Sequence, residues 1–266
     1  MKPLKTIFLT LAVTFSFTAC EKNPTEGFKV EGSIENFQDC SSSSVKAFVT
    51  DDYKLDFVAK ISESKLNNNY FSMFLPYELK DKYCSAIDIK RWILFDPNFE
   101  SYLTISNKNV KISRVLFNSD KNYFNNITQF GYREEFYNND VASVTLVKTQ
   151  YIYAQSAVSV TGEYETRLTH VMGTDYYKTV KMDLFLQKGW NIIYHIGNFV
   201  SKPNTYRWEI DTAIINITTE KPENIELKWY YRIRDTIMGD KDIFLDAQFV
   251  YMSFMDAYYF DFIVNF

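Results

Sequence analysis

The chain has 266 residues, enough for one large or two small domains, and a formal net charge of −4. It carries no basic block, which argues against a grip on the phosphate backbone of nucleic acid. Only 8 glycines stand beside 20 Tyr and 23 Phe; that balance argues against a glycine-lined nucleotide site and for strands, whose pleated surfaces suit aromatic and β-branched residues.

Lys2 and Lys5 form a positive n-region, and Ile7 to Ala19 is an apolar run without a charge. The run is shorter than the roughly 20 residues needed to cross a bilayer and has the proportions of a signal-peptide core, so residues 1–19 are read as a leader. The junction Phe17-Thr18-Ala19-Cys20 resembles a bacterial lipoprotein signal, departing from it at Phe17, where that family usually has an aliphatic residue. The resemblance implies cleavage before Cys20 and lipidation of Cys20 with palmitate-type chains. It also implies a membrane partner, the outer membrane of a Gram-negative cell. Two or more acyl chains give stable attachment. The alternative is an ordinary secretory leader in which Cys20 is incidental. Residues 20–26 continue as a short polar stretch containing Pro24, read as a lipidated tether.

Residues 27–100 read as a first small β-sandwich. Phe28, Val30 and Ile34 alternate with Lys29, Glu31 and Ser33, the period of a half-buried strand. Val45–Thr50 and Phe57–Ser64 follow. Asn67-Asn68-Asn69 predicts a tight turn, because Asn tolerates a left-handed backbone. Tyr70–Leu75 returns and Pro76 stops it, having no N–H for the ladder. The order Gly32-x-Ile34, Val45-x-Ala47, Ile61 to Ser64 and Asn68 to Pro76 resembles transthyretin or carboxypeptidase-regulatory modules of exported proteins. That likeness implies a sandwich fold and a spacer or binding role.

Residues 101–235 read as a second sandwich. Strands are expected over Tyr102–Ile105, Val110–Phe117, Ile127–Phe136, Val141–Ala154, Val158–Thr169, Tyr176–Leu186, Trp190–Ile196, Tyr206–Ile217 and Ile225–Ile233. Gly162 is expected to mark a bend or bulge. In Leu186-Gln187-Lys188-Gly189-Trp190, Gly189 permits a positive φ in a tight turn. Trp190 then shares a face with Ile192 and Tyr194, while Ile193 and His195 point the other way. Its bland role is core packing and its sharp one is stacking on a sugar. The stretches Tyr151–Gly162, Leu184–Tyr194 and Leu227–Tyr230 are similar to uncharacterised Bacteroidota-type exported lipoproteins with LKKGWN-like and LKWYF-like motifs, a likeness that implies shared fold and export and no activity. Residues 236–266 are rich in Phe, Tyr and Met and read as a tail or extra edge strand.

Candidate chemistry is sparse. Cys40 and Cys84 could form a disulfide in a non-reducing compartment, closing a loop of about 45 residues and worth up to ~4 kcal/mol; the alternative is two unpaired thiols. Neither belongs to a zinc pattern. Ser159 or Thr169 with His170 and Asp175 has no spacing that picks out a triad. Glu163 and Glu165 share a strand face, Glu134 and Glu135 fall on opposite faces, and Asp51-Asp52 ends a strand where calcium could bind. Tyr206 with Trp208, and Trp229 with Tyr231, form spacing-two pairs that stack on glycans if exposed and pack the core if buried. Thr212 and Thr236 resemble short O-glycosylation acceptors of exported Bacteroidota proteins.

The expectation is an all-β chain of two sandwich-like units, exported and lipid-anchored, with no cofactor or metal. It is non-enzymatic and acts through binding or assembly, its partner an envelope protein or a glycan. A glycan- or calcium-dependent adhesive role is the second reading, and a carboxylate-based glycan hydrolase the third.

Overall fold

A computed structural model of the chain describes residues 27–35, 43–50, 57–87, 99–119, 126–137, 141–169, 175–204 and 207–231. The described residues are nearly all strand, with no α-helix. Two short 3-10 turns cover Asp81–Tyr83 and Phe99–Tyr102. The fold is all-β, as the alternating pattern predicts. The leader, Cys20, Cys40 and residues 236–266 lie outside the described residues.

The strands are β1 (Phe28–Ser33), β2 (Ser44–Thr50), β3 (Phe57–Lys65), β4 (Tyr70–Leu75), β5 (Ser85–Ala86), β6 (Leu103–Ile105) and β7 (Lys111–Asn118). They continue as β8 (Asn126–Tyr137), β9 (Val141–Ala154), β10 (Val158–Thr169), β11 (Asp175–Leu186), β12 (Gly189–Asn204), β13 (Arg207–Thr218) and β14 (Lys228–Tyr231). β1 and β4 make a two-stranded antiparallel sheet in register Phe28↔Leu75. The others form one large sheet in the order β3-β2-β7-β8-β9-β12-β13-β11-β10-β6, with β14 paired to β8 and β5 to β7. Most pairings are antiparallel. β13 inserts between β12 and β11 and runs parallel to β11.

β9 and β10 are consecutive in sequence but far apart in the strand order. Their side chains nevertheless meet in one core, so the sheet folds over on itself. That core is mostly aliphatic: Val144, Leu146 and Ile152 of β9 face Val158 and Val160 of β10 and Val180, Met182, Leu184 and Leu186 of β11. The period of two puts alternate residues of β9 on its other face. There Tyr151 and Tyr153 join a second core with Phe71, Met73, Phe117, Trp229 and Tyr231. Each fully buried aliphatic or aromatic side chain contributes about 1.5–3 kcal/mol.

The expected break near residue 100 does not separate two cores. β2 hydrogen-bonds to β7 with Ala47 opposite Phe117, and Ile34 bridges to Trp229. Val30, Val45 and Phe71 from before residue 100 pack in the same cluster as Tyr151 and Trp229. Local alternation specifies strands, but the partner of a strand is chosen over long range.

Two glycines show close approach. A Cβ on Gly162 would lie 2.4 Å from the Tyr102 carbonyl oxygen, and β10 keeps its register with β11 through that position. Gly162 is there to let the chain before β6 cross, and it is not a bulge. A Cβ on Gly32 would lie 2.3 Å from Cδ1 of Trp229. Asn68 has φ 58°, as the Asn turn predicts.

Candidate functional site

The aromatic core ends in a pocket of about 340 Å³ beside the turn between β11 and β12. One wall is the start of β12. Gly189 has φ 102°, and the turn it makes is buckled by Asn191, whose side-chain amide donates to the carbonyls of Gln187 and Gly189, both at 2.9 Å. Asn191 Oδ1 accepts from the Gln187 N–H at 2.8 Å. Trp190 leaves this clamp half-buried, its ring 5.2 Å from that of Tyr153 at an interplanar angle of 66°.

The opposite wall is the segment after β4, pinned three times. Trp190 Nε1–H donates to the Pro76 carbonyl at 2.7 Å. The Leu79 backbone N–H bonds to the Tyr153 hydroxyl, opposing the burial that pushes this phenol above its ordinary range. Asp81 accepts from Gln155 at 2.8 Å and from Lys111 at 2.7 Å, and those bonds, Gln155 first, hold its carboxyl below the usual range. Between the first two pins, Tyr77 stands out at 54 % exposure with Glu78 beside it.

Phe28 and Gly27 complete the lining. A Cβ on Gly27 would meet the Leu75 carbonyl oxygen at 2.0 Å, so only glycine brings β1 this close to β4. Glu78 and Lys188 supply the pocket with one carboxylate and one ammonium, both exposed. Neither takes part in an ion pair among the described residues. The arrangement offers apolar ring faces, one acceptor and one donor on a pre-formed frame, the usual make-up of a small-molecule site.

A second polar group lies within the aliphatic core. His195 on β12 sits opposite Lys148 on β9 and is 3 % exposed. Its Nε2 lies 3.1 Å from Gln150 Oε1, so a neutral ring protonated on Nε2 donates to that amide. Burial, then the Lys148 and Arg114 charges, hold the imidazole down at about 3. Burial, then Arg114, holds the Lys148 ammonium down at about 8, although solvent still reaches part of its side chain. His195 is thus buried beside Lys148, Gln150 and Arg114.

The expected site residues fall as follows. Trp229 and Tyr231 are each 3 % exposed. Trp229 is ringed by Phe71, Phe117 and Tyr151 at 5.2–6.0 Å and donates its indole N–H to the Glu31 carbonyl at 3.1 Å, so this pair is core and no sugar shelf. Tyr206, the Trp208 side chain, Thr236, His170 and Asp51-Asp52 lie outside the described residues. Thr212 is half-buried within β13, between Val200 and Tyr177 of its neighbours. Among the described residues Cys84 is a free, half-buried thiol whose pKa burial raises; Cys40, with which it could pair, is not described. Glu163 and Glu165 are exposed on β10, with Glu163 paired to Lys181 at 3.1 Å. Glu135 pairs with Arg133 at 3.1 Å, and the Glu134 side chain is not described. No cluster of three metal-ligating side chains occurs among the described residues, and none of their helices is long and apolar enough to cross a membrane.

Trp190 was legible from the Lys-Gly-Trp turn chiefly as core packing, with sugar stacking as the alternative. Tyr77 and Glu78 were not, because nothing before the fold shows that the residues after Pro76 close against β12. The Asn two places after Gly189 was the available signal for the clamp. No family model, no curated protein and no solved structure matches this chain.

Proposed function

We propose that this chain is an exported, lipid-anchored, non-enzymatic protein of the cell envelope that works by holding a ligand in the pocket beside Trp190. The observation that carries the binding role is the pinned pocket itself. The Trp190–Pro76 hydrogen bond ties its two walls together, and Tyr153 and Asp81 hold the segment after β4 to the large sheet, so a ligand meets a site that needs little ordering, which favours affinity. Export and anchoring are supported by the leader ending at Ala19-Cys20.

The two parts of the reading fit together. Gly27 lines the pocket, and the six residues Glu21–Glu26 reach at most about 20 Å when extended. A lipid on Cys20 would hold the site close to the membrane surface, where envelope components are concentrated.

Native mass spectrometry of the protein isolated from its own envelope tests the binding role. A bound species that Trp190→Ala loses is the expected result; wild-type and variant spectra without any adduct would end the reading. Labelling with a palmitate analogue tests the anchor. Label on the natural chain and none on Cys20→Ala is expected, and equal label on both would refute it.

A further inference from the structure

We propose that the pocket beside Trp190 takes a neutral saccharide ring. This rests on the binding role above and names the ligand class for that site. Four features of the pocket converge on it.

The first is the aromatic lining. Tyr77 is mostly exposed, and Phe28 and Trp190 are half-buried. Aromatic faces carry negative charge density. The C–H bonds on the apolar face of a sugar ring point partial positive charge at such a surface and bury apolar area against it.

The second is charge. Glu78 and Lys188 are the pocket's two ionised side chains, of opposite sign. A bare anion gains from Lys188 what it loses to Glu78, and a bare cation the reverse. A polyol uses both without penalty: the carboxylate accepts from hydroxyls, and the ammonium donates to hydroxyl or ring oxygens.

The third is size. About 340 Å³ stands near the lower end of small-ligand pockets, room for one ring with its water. The fourth is rigidity. The Trp190 indole N–H is already committed to Pro76 and the Asn191 amide to the turn. Hydrogen bonding to a ligand therefore falls to Glu78 and Lys188, and stacking to the exposed Tyr77 ring, on a fixed frame.

Saturation-transfer NMR and intrinsic tryptophan fluorescence on the purified protein test this. The probes are the methyl glycosides of glucose, galactose and mannose, N-acetylglucosamine and the corresponding disaccharides, with choline and glucuronate as charged controls. At least one neutral sugar should bind in the roughly millimolar range expected of a single small ring. Tyr77→Ala, which removes an exposed ring, should weaken it about tenfold or more. Glu78→Gln and Lys188→Ala should each weaken it severalfold. Raising salt from about 0.05 to 0.5 M should leave the affinity within about twofold, because the ligand carries no charge to screen.

If choline or glucuronate binds and no neutral sugar does, the ligand class is wrong while the binding role stands. Failure of every neutral sugar, or binding that Tyr77→Ala leaves unchanged, overturns the proposal whatever the adduct spectra show.

Discussion

The two faces of the central strands bury their side chains differently. One face is closed by small branched residues: Val158, Val160, Val180, Leu184 and Ile193 sit at 0–6 % exposure and interlock across the folded sheet. The other is closed by rings that meet edge to face, among them Phe71, Phe117 and Trp229. Rings cover much area per residue but fit one another only at certain angles. Where the ring layer runs out, at Tyr153 and Trp190, the packing stops and a pocket begins. The two tryptophans mark the two ends of this layer. Both donate an indole N–H to a backbone carbonyl, yet Trp229 is enclosed and Trp190 is half open. The same residue type with the same polar bond holds the fold at one end and forms a site at the other.

The strongest test of that contrast is truncation. Trp229→Ala removes a fully enclosed indole and should cost about 3–5 kcal/mol, the range for a buried aromatic. Trp190→Ala should cost less, about 1.5–3 kcal/mol, since part of its surface is already open to solvent. Denaturant unfolding measures both, with Cm shifts at constant slope. Equal losses would remove the distinction between the closed and open ends.

Gly32→Ala attacks the closed end from the other side. Its new methyl would sit 2.3 Å from the Trp229 ring, and an indole held by three neighbouring rings cannot step aside cheaply. Overpacking of this kind costs about 1–3 kcal/mol. A near-neutral result would show that the ring layer is looser around Trp229 than its contacts imply.

Much of the fold was legible because strand burial is written locally. Val141–Ala154, Val158–Thr169 and Tyr70–Leu75 come out with the ends their alternation predicts. What local pattern does not encode is pairing. β2 and β7 lie on either side of the expected break and share a ladder; nothing in either strand names the other. The site shows the same division. The turn at Gly189 and the facing of Trp190 follow from residue type and the period of two. The opposite wall comes from over a hundred residues earlier, through the Trp190–Pro76 hydrogen bond, and alternation carries no information over that span. Trp229 was ambiguous for a related reason: a ring at spacing two reads alike whether a neighbouring sheet covers it or solvent does.

The aliphatic face answers to acid. His195 is held near 3 in the fold against about 6.5 unfolded. Between those values the unfolded chain binds a proton that the folded chain refuses. Stability present above pH 6.5 is therefore lost as pH falls toward 3, at about 1.4 kcal/mol per pH unit from this group. Lys148 has the same sign at higher pH: with its folded value at about 8, raising pH from 8 toward 10.5 favours the fold. Urea midpoints taken from pH 7 to 4 on the natural chain and on His195→Gln would separate the histidine from the carboxylates. The variant should show a shallower loss; parallel curves would mean that His195 is protonated within the fold.

The smallest effect belongs to the open end. Gly189 has φ 102°, a conformation that costs an L-residue about 1 kcal/mol, and an added methyl would meet nothing within 4 Å. Gly189→Ala thus carries backbone strain and no clash, and about 1 kcal/mol should be lost. How that strain is relieved matters more than its size. The chain can hold the turn through Asn191 and keep Lys188 and Trp190 in place, or it can relax φ and swing both residues off the pocket. The three hydrogen bonds of the Asn191 clamp exceed the strain, at about 1 kcal/mol net each, so the turn should hold. Gly189→Ala should then lose stability and keep its ligand affinity, whereas Gly189→Ala combined with Asn191→Ala should lose both. A single variant that retains full stability and loses affinity would show that the turn is set by Gly189 alone.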